Sequence, residues 1–520
     1  MGLPNEVISG LLSSAKDEDT YQVSRSLRFN SADSAYLTRS YSTNQTNADI
    51  QTFSFWIKRT SFAANQIIFH GLASSQRSVV RLTSSDQIEA TINTGYNGNI
   101  TTAVLRDASA WYHIVIAFDS TQAAAADRAK IYINGTQLTS LATTTNVPQN
   151  TDCNFGKNGG TNEIGRSSDL SQYFNGYLAE TYFIDGQALD ATSFAQSDAN
   201  GRWVPKAYTG TYGTNGFYLK FADNSGTTAT TLGKDSSGNG NNWTPNNFSV
   251  TAGVGNDSLV DSPTNYGTDT GLGGEVRGNY CTMNPLQYSS TYAALSNGNL
   301  NVAGASGDDA GGAFATAKVN SGKWYWEALI LGVQSIYPFI GFAVNTTGGQ
   351  FQGGARIGTA GTPAIVSPES FITLNGSPSG TSFTTNHVIQ FALDMDNGKM
   401  WVGKNGTWMN SGVPASGTGN MFSISDTSQF VSPYIFSYNA SSVAFNFGQR
   451  AFSYTAPTGF KALCTHNLPT PTIKKPSQYM NIATYTGTGA TRSITGVGFQ
   501  PDLVWTKSRS NAETHKLVMN

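Results

Sequence analysis

Charge is what this chain has least of. Asp, Glu, Lys and Arg make up 12% of its 520 residues, about half of the usual quarter, and the formal net charge is −2. So few cations offer no basic field for nucleic acid and no polybasic patch for a membrane surface, and neither partner is expected. Cysteine is nearly as scarce. Cys153, Cys281 and Cys464 are odd in number and far apart, which argues against a disulfide framework and a clustered zinc site and predicts three buried thiols in a chain made in a reducing cytosol. No apolar run reaches the ~20 residues that span a bilayer. The opening MGLPNEVISGLLSSAKDED lacks the basic and apolar regions of a signal peptide, and Glu6 breaks the myristoylation pattern.

Catalytic signatures are missing too. The five histidines are scattered, and neither H-E-x-x-H nor G-x-S-x-G occurs, so no local nucleophile and base are set side by side. Ser13 and Lys16 fit S-x-x-K without its companion motifs, and His113 sits among the aromatic residues of a strand as a satisfied core or interface histidine. No fixed-period repeat of a parallel β-helix is present. The stretch LDMDNGKMWVGKNGTW (393–408) places Asp394, Asp396 and Gly398 like the start of a calcium loop. An EF-hand would need glycine at the sixth position and glutamate at the twelfth, whereas Gly398 is fifth and Asn405 twelfth. The expectation is no enzyme, no metal and no cofactor.

What the chain has is glycine, 55 residues of it, long Ser/Thr/Asn stretches, and alternation with period two. In FSFWIKR (53–59) Phe53, Phe55 and Ile57 share a face; in WYHIVIAFD (111–119) Tyr112, Ile114, Ile116 and Phe118 do. Asn134-Gly135 inside RAKIYINGTQL predicts a hairpin, and Asn-Gly recurs at 97–98, 175–176, 215–216, 297–298, 397–398 and 405–406. Along HVIQFALDMD, Ile389, Phe391, Leu393 and Met395 form an inward face, which sends Asp394 and Asp396 outward. Many short strands and dense turns mean sandwiches or jelly rolls. One short helix is expected over Pro4–Lys16.

FSFWIKR, WYHIVIAFD, AKIYINGTQL, NEIGRS and FNGYLAETYFIDGQAL, in that order and spacing, resemble the laminin-G-like, concanavalin A-like jelly rolls over about residues 27–205. SGKWYWEALI, IGFAVN, HVIQFALDMDNGKMWVGKNGTW and VSPYIFSYNASSVAFNFGQRAF resemble the SPRY domain over 286–460. DSSGNGNNW with DSPTNYG, and NIATYTGTGATRSITGVGFQPDLVWTKSRS, resemble segments of structural proteins of tailed bacteriophages. The resemblance implies an all-β fold, two concanavalin-like jelly-roll sandwiches in tandem with a short N-terminal helix and a partial C-terminal β module. The expected borders are a docking segment over 1–26, sandwiches over 27–205 and 286–460, a packed connector over 206–285, and the start of a further module over 461–520.

The same resemblance implies a virion protein made in the host cytoplasm, a tail fibre that presents loops to a host-surface glycan or protein. A homotrimer docked on other virion proteins through its N-terminal segment is the expectation; a head fibre or capsid decoration protein and a virion polysaccharide hydrolase are the alternatives. Concanavalin-like glucanases set carboxylates on one strand as E-x-D-x-x-E, and this chain lacks that spacing: Glu180 and Asp185 are five apart, and Glu327 has no neighbour in sequence. Where relatives carry an acidic pair, Ala179 precedes Glu180. Ligand contacts fall instead to loop aromatics, Tyr96, Tyr173 and Tyr212, whose rings can stack on sugar faces.

Overall fold

The computed structural model describes residues 19–92, 98–168, 172–305, 310–335, 337–344, 364–366, 371–372, 382–424 and 426–519. The helix expected over Pro4–Lys16 and the candidate Tyr96 lie outside them. Among the described residues the chain is all-β, two sandwiches in tandem.

Sheet I of the first sandwich runs, edge to edge, Thr136–Gln137, Ala129–Ile133, Trp111–Asp119, Ile50–Arg59, Gly176–Asp185, Ser26–Phe29 and Ser258–Leu259, with Phe217–Leu219 also on Gly176–Asp185. Sheet II runs Leu141–Thr143, Asn99–Val104, Gln87–Thr91, Gln76–Leu82, Gln66–Ala73, Thr161–Ile164, Tyr36–Ser40 and Thr244–Asn246. The alternation read in the sequence builds the core. Phe53, Phe55 and Ile57 lie beside Ile114, Ile116 and Phe118 on one inner face and meet Phe69, Val80, Leu82, Ile88 and Ile164 from the other. Strand Gly176–Asp185 breaks the alternation. Leu178 and Phe183 both enter the core although five apart, because an extra residue at Glu180, φ +46°, bulges the strand between Ala179 and Tyr182 and reverses its parity.

Two expected borders move. The 206–285 segment, expected as a connector, supplies three strands of the first sandwich: Phe217–Leu219, Thr244–Asn246 and Ser258–Leu259. Its Leu219, Phe221, Leu232 and Trp243 are buried in that core. A segment without periodicity can do this because each strand is only two or three residues long, too short to show a period. Likewise Lys461–Ala462 pairs with Lys323–Gly332, and Leu463 and Cys464 are buried, so the second sandwich runs past 460.

Sheet III of the second sandwich holds Met283–Tyr288, Ala310–Ala315, Val431–Tyr438, Phe339–Val344, Ala364–Val366 and Phe371–Ile372. Sheet IV holds Ala293–Ser296, Asn301–Gly304, Ser442–Asn446, Lys323–Gly332, Val388–Asp394, Lys399–Lys404 and Thr407–Trp408. Ile389, Phe391, Leu393 and Met395 are all in the core. Asp394 leaves the sheet on its outer face, but that face is covered: the residue is 1% exposed, bonded to Lys323 at 3.1 Å and to the backbone and side chain of Asn397 at 3.0 and 2.9 Å. Burial pushes its carboxyl up, but those hydrogen bonds outweigh it and hold the group below the usual range. Asp396 accepts the N–H of Gly322 at 2.6 Å. Both carboxylates fasten the turn.

The sandwiches share an interface. Trp56, Trp111 and Tyr177 on the outer face of sheet I continue into the cluster that includes Met283, Leu300 and Trp326. Tyr177 donates to the carbonyl of Gly298 at 2.7 Å, and Asn299 donates to that of Thr60 at 2.8 Å. Beyond the second sandwich, Leu503–Thr506 and Lys516–Met519 pair as a hairpin.

Candidate functional site

The outer face of sheet II carries charged residues whose carboxylates are buried. Alternation on Gln76–Leu82 turns Val80 and Leu82 inward and leaves Arg81 outward; it does the same for Glu89 on Gln87–Thr91 and Glu163 on Thr161–Ile164. Register sets these strands side by side: Glu163 lies opposite Thr38 and His70, His70 opposite Val79, and Arg81 opposite Glu89.

Two arginine–carboxylate pairs result. Arg166 reaches Glu163 with Nη2 at 2.6 Å and Nε at 2.9 Å. Its guanidinium carbon lies 3.5 Å from the Tyr36 ring centroid, and Nη1 donates to the Tyr173 hydroxyl at 3.3 Å. Burial disfavours its charge, yet the Glu163 carboxylate and Tyr173 hydroxyl more than offset this and hold Arg166 above its ordinary range. Arg81 bonds Glu89 at 2.7 and 2.8 Å and reaches the Gln172 side chain at 3.4 Å. Gln172 is itself fixed, its carbonyl accepting the N–H of Ile67 at 3.0 Å. The carboxylates are buried, while Arg166 keeps 25% of its side chain exposed and Tyr36 and Tyr173 are half-buried. The surface thus presents a guanidinium fixed on the Tyr36 ring and bonded to the Tyr173 hydroxyl, with a buried carboxylate as its anchor.

This geometry suits binding better than hydrolysis. Glu163 and Glu89 stand on strands three spacings apart, about 14 Å at ~4.8 Å per strand, whereas a glycosidase pair needs about 5 to 10 Å. Each is also already occupied by its own arginine.

Of the expected site residues, Tyr173 lies on this face. Tyr212 lies on the opposite side of the sandwich, its ring 5.2 Å from Tyr208 and packed against the cluster of Tyr182, Phe194 and Tyr218; the two were never going to share one ligand. Tyr36, Arg81, Glu89, Glu163 and Arg166 were not singled out from sequence. Their signal was charge at the outward positions of strands whose inward positions are apolar, and only register brings them together.

The carboxylates weighed from sequence for catalysis are tied up in hydrogen bonds of the fold. Glu180 leaves its bulge on the outer face of sheet I, where Oε2 accepts from Tyr21, Tyr182 and Tyr218 at 2.7, 2.9 and 2.6 Å; Asp185 accepts backbone N–H groups of Thr46, Asn47 and Asn215. Glu327 accepts from the Tyr325 hydroxyl and the backbone of Ser453 and Tyr454. His113 Nδ1 accepts from the Trp203 indole at 3.0 Å, which places the proton on Nε2, 2.9 Å from Ser54 Oγ. Among the described residues no three His, Cys, Asp or Glu side chains gather as a metal site.

Burial pushes His113 down to about 3. An unfolded imidazole titrates near 6.5, so the contribution of the neutral ring is complete above pH 6.5. It is lost as the pH falls toward 3, by about 1.4 kcal/mol per unit. His113→Gln is expected to flatten the pH slope of the urea midpoint between 6.5 and 5, where ordinary carboxylates stay ionised. An unchanged slope would remove His113 from the balance.

Comparison with solved structures gives matches to parts of the chain. The native heptameric SAP-like pentraxin from Limulus polyphemus is 18% identical, with 33% of this chain and 80% of that one covered at a TM-score of 0.26. The SPRY domain of human HERC1 is 18% identical, with 31% and 96% covered at a TM-score of 0.24. No curated protein matches the chain. Residues 475–520 match a domain of unknown function, DUF7483. In the sandwich that carries the polar face, residues 30–195 match the family model of the concanavalin A-like lectin/glucanases superfamily.

Proposed function

We propose that this protein is a glycan-binding structural protein of a tailed-phage particle, a tail fibre that attaches to the host surface, and that the outer face of sheet II is its sugar site. The observation that carries the binding reading is Arg166, held by Glu163 and Tyr173 against the ring of Tyr36. A pyranose offers an apolar face to such rings and vicinal hydroxyls to a fixed guanidinium and amide, and no group has to be ordered on binding. The lectin-type match of residues 30–195 supports a carbohydrate ligand. The phage setting is supported by the likeness of residues 235–243, 261–267 and 481–510 to segments of phage structural proteins. A homotrimer would repeat a weak site and gain avidity through effective concentration.

Purified chain titrated with bacterial surface polysaccharides tests the reading. Binding is expected, and Arg166→Ala or Tyr36→Ala should weaken it about tenfold to a hundredfold, the loss of a charge-assisted bond or a stacked ring. Binding that ignores both variants would move the site elsewhere, and steady release of new reducing ends would replace binding by hydrolysis. Antibody labelling of particles at the tail is expected; signal over the capsid alone would make the protein a head decoration.

A further inference from the structure

One buried cluster between the sandwiches has no part in sugar binding. Lys58, near the end of strand Ile50–Arg59, is 0% exposed. Its Nζ lies 2.7 Å from Asp261 Oδ2, 2.7 Å from Asn279 Oδ1 and 2.7 Å from the carbonyl of Tyr280. Asp261 is also 0% exposed, and its Oδ1 accepts from the Trp111 indole at 3.0 Å and the backbone N–H of Tyr280 at 3.3 Å. Asn279 Nδ2 points the other way and donates to the carbonyl of Ser109. The buried side chains of Trp111 and Tyr177 border the group, with Lys58 Nζ 5.8 Å from the Tyr177 ring centroid.

A buried lysine–aspartate pair is a poor stabiliser by itself, since desolvation cancels much of its attraction. A third member, a carboxamide, makes chemistry available. Because a carbonyl carbon is 1.23 Å from its oxygen, the Asn279 carbon lies within about 4 Å of Lys58 Nζ, close to the 3 to 3.5 Å of a near-attack arrangement. Burial holds the Asp261 carboxyl above its usual range against the pull of Lys58, which suits it to take a proton.

We propose that Lys58 and Asn279 condense spontaneously into an isopeptide bond, with Asp261 as the proton-transfer group. The Lys58 ammonium passes one proton to Asp261, and the freed amine attacks the Asn279 amide carbon to form a C–N bond. A second amine proton moves through Asp261 to the Asn279 nitrogen, that C–N bond breaks, and ammonia leaves. The product is a secondary amide plus neutral Asp261; no oxidant or co-reactant is consumed, and a buried ion pair is replaced by uncharged groups. The bond ties the first sandwich to the chain four residues before strand Met283–Tyr288 of the second.

Mass spectrometry of the denatured full chain tests this. The intact mass should be lower than the sequence mass by one ammonia, and trypsin should leave Lys58 uncut and yield one branched peptide holding Lys58 and Asn279. Lys58→Arg, which keeps the charge, should restore the full mass. Asn279→Asp should lose water instead of ammonia or stay unreacted, but not lose ammonia. A full sequence mass in the native chain, with cleavage after Lys58, overturns the proposal. So does an ammonia loss that persists in Lys58→Arg, since a succinimide at an Asn-Gly step would then be its source.

Discussion

Asp257→Ala is expected to lower the free energy of unfolding by about 3–5 kcal/mol, the cost of stranding a buried charge. Asp257 holds Arg28, whose side chain is 0% exposed, at 3.0 Å through both Nε and Nη2. The other partners of that guanidinium are the carbonyls of Asn297 and Val254. Arg450 stands close by, almost fully buried, also bonded to the Val254 carbonyl and to that of Phe445. Burial, and then the nearby Arg28 charge, lower Arg450 to about 10. Removing Asp257 therefore leaves the buried Arg28 guanidinium with no carboxylate partner, close to a second buried guanidinium. Urea unfolding followed by intrinsic fluorescence would read the loss, and the double variant Arg28→Met with Asp257→Leu should lose distinctly less than the single one. A loss below about 1 kcal/mol for Asp257→Ala would mean that water reaches Arg28 and the interface is looser than its hydrogen bonds imply.

Phe155→Ala is expected to cost a similar amount, about 3–5 kcal/mol, although Phe155 lies in no strand. Its ring meets Phe53 at 5.1 Å, Phe69 at 5.6 Å and Phe183 at 5.0 Å, and stacks on Trp243 at 5.9 Å and 17°. It is 0% exposed, and its carbonyl accepts from Gln45 at 2.8 Å. One ring thus joins both sheets to the late segment that carries Trp243. Truncation should lower the urea midpoint and shift the emission of the tryptophans; Phe155→Leu, which keeps most of the volume, should lose roughly half as much or less. Equal losses for the two would show that edge-to-face ring geometry, and not filled volume, matters at this site.

Much of the fold was legible because period two is a strong signal over long strands. Phe53, Phe55 and Ile57, and Ile389, Phe391, Leu393 and Met395, face inward as their alternation says. Turn chemistry was legible where two residues suffice. Asn134-Gly135 and Asn405-Gly406 both have positive φ at both positions and close two-residue hairpins. Elsewhere the same dipeptide means something else. Asp394 pairs with Lys399, so the turn spans four residues and only Gly398 is left-handed, while Gly176 merely opens a strand.

The site was far less legible. Tyr173 was within reach as a loop aromatic, but Arg81, Glu89, Glu163 and Arg166 look in sequence like ordinary charges on solvated faces. Their value arises from which strands become neighbours, and Glu163 and Arg81 belong to segments some eighty residues apart. The outward reading of Asp394 missed its burial for a related reason. Alternation assigns a face, but the side chains of Lys323 and Asn397 decide whether that face is covered.

The three late strands of the first sandwich set the order in which it can be made. Ser26–Phe29 and Tyr36–Ser40 are made before the other strands of this sandwich, yet their edge partners Ser258–Leu259 and Thr244–Asn246 come more than two hundred residues later. Until those have emerged, the two early edges carry unpaired backbone groups and the core lacks Trp243, a state open to pairing with sister chains growing on the same message. The same arrangement fixes the unit of exchange. A recombination event that moves the first sandwich between proteins has to cut after Leu259, because a cut near residue 205 would leave both sheets one edge short.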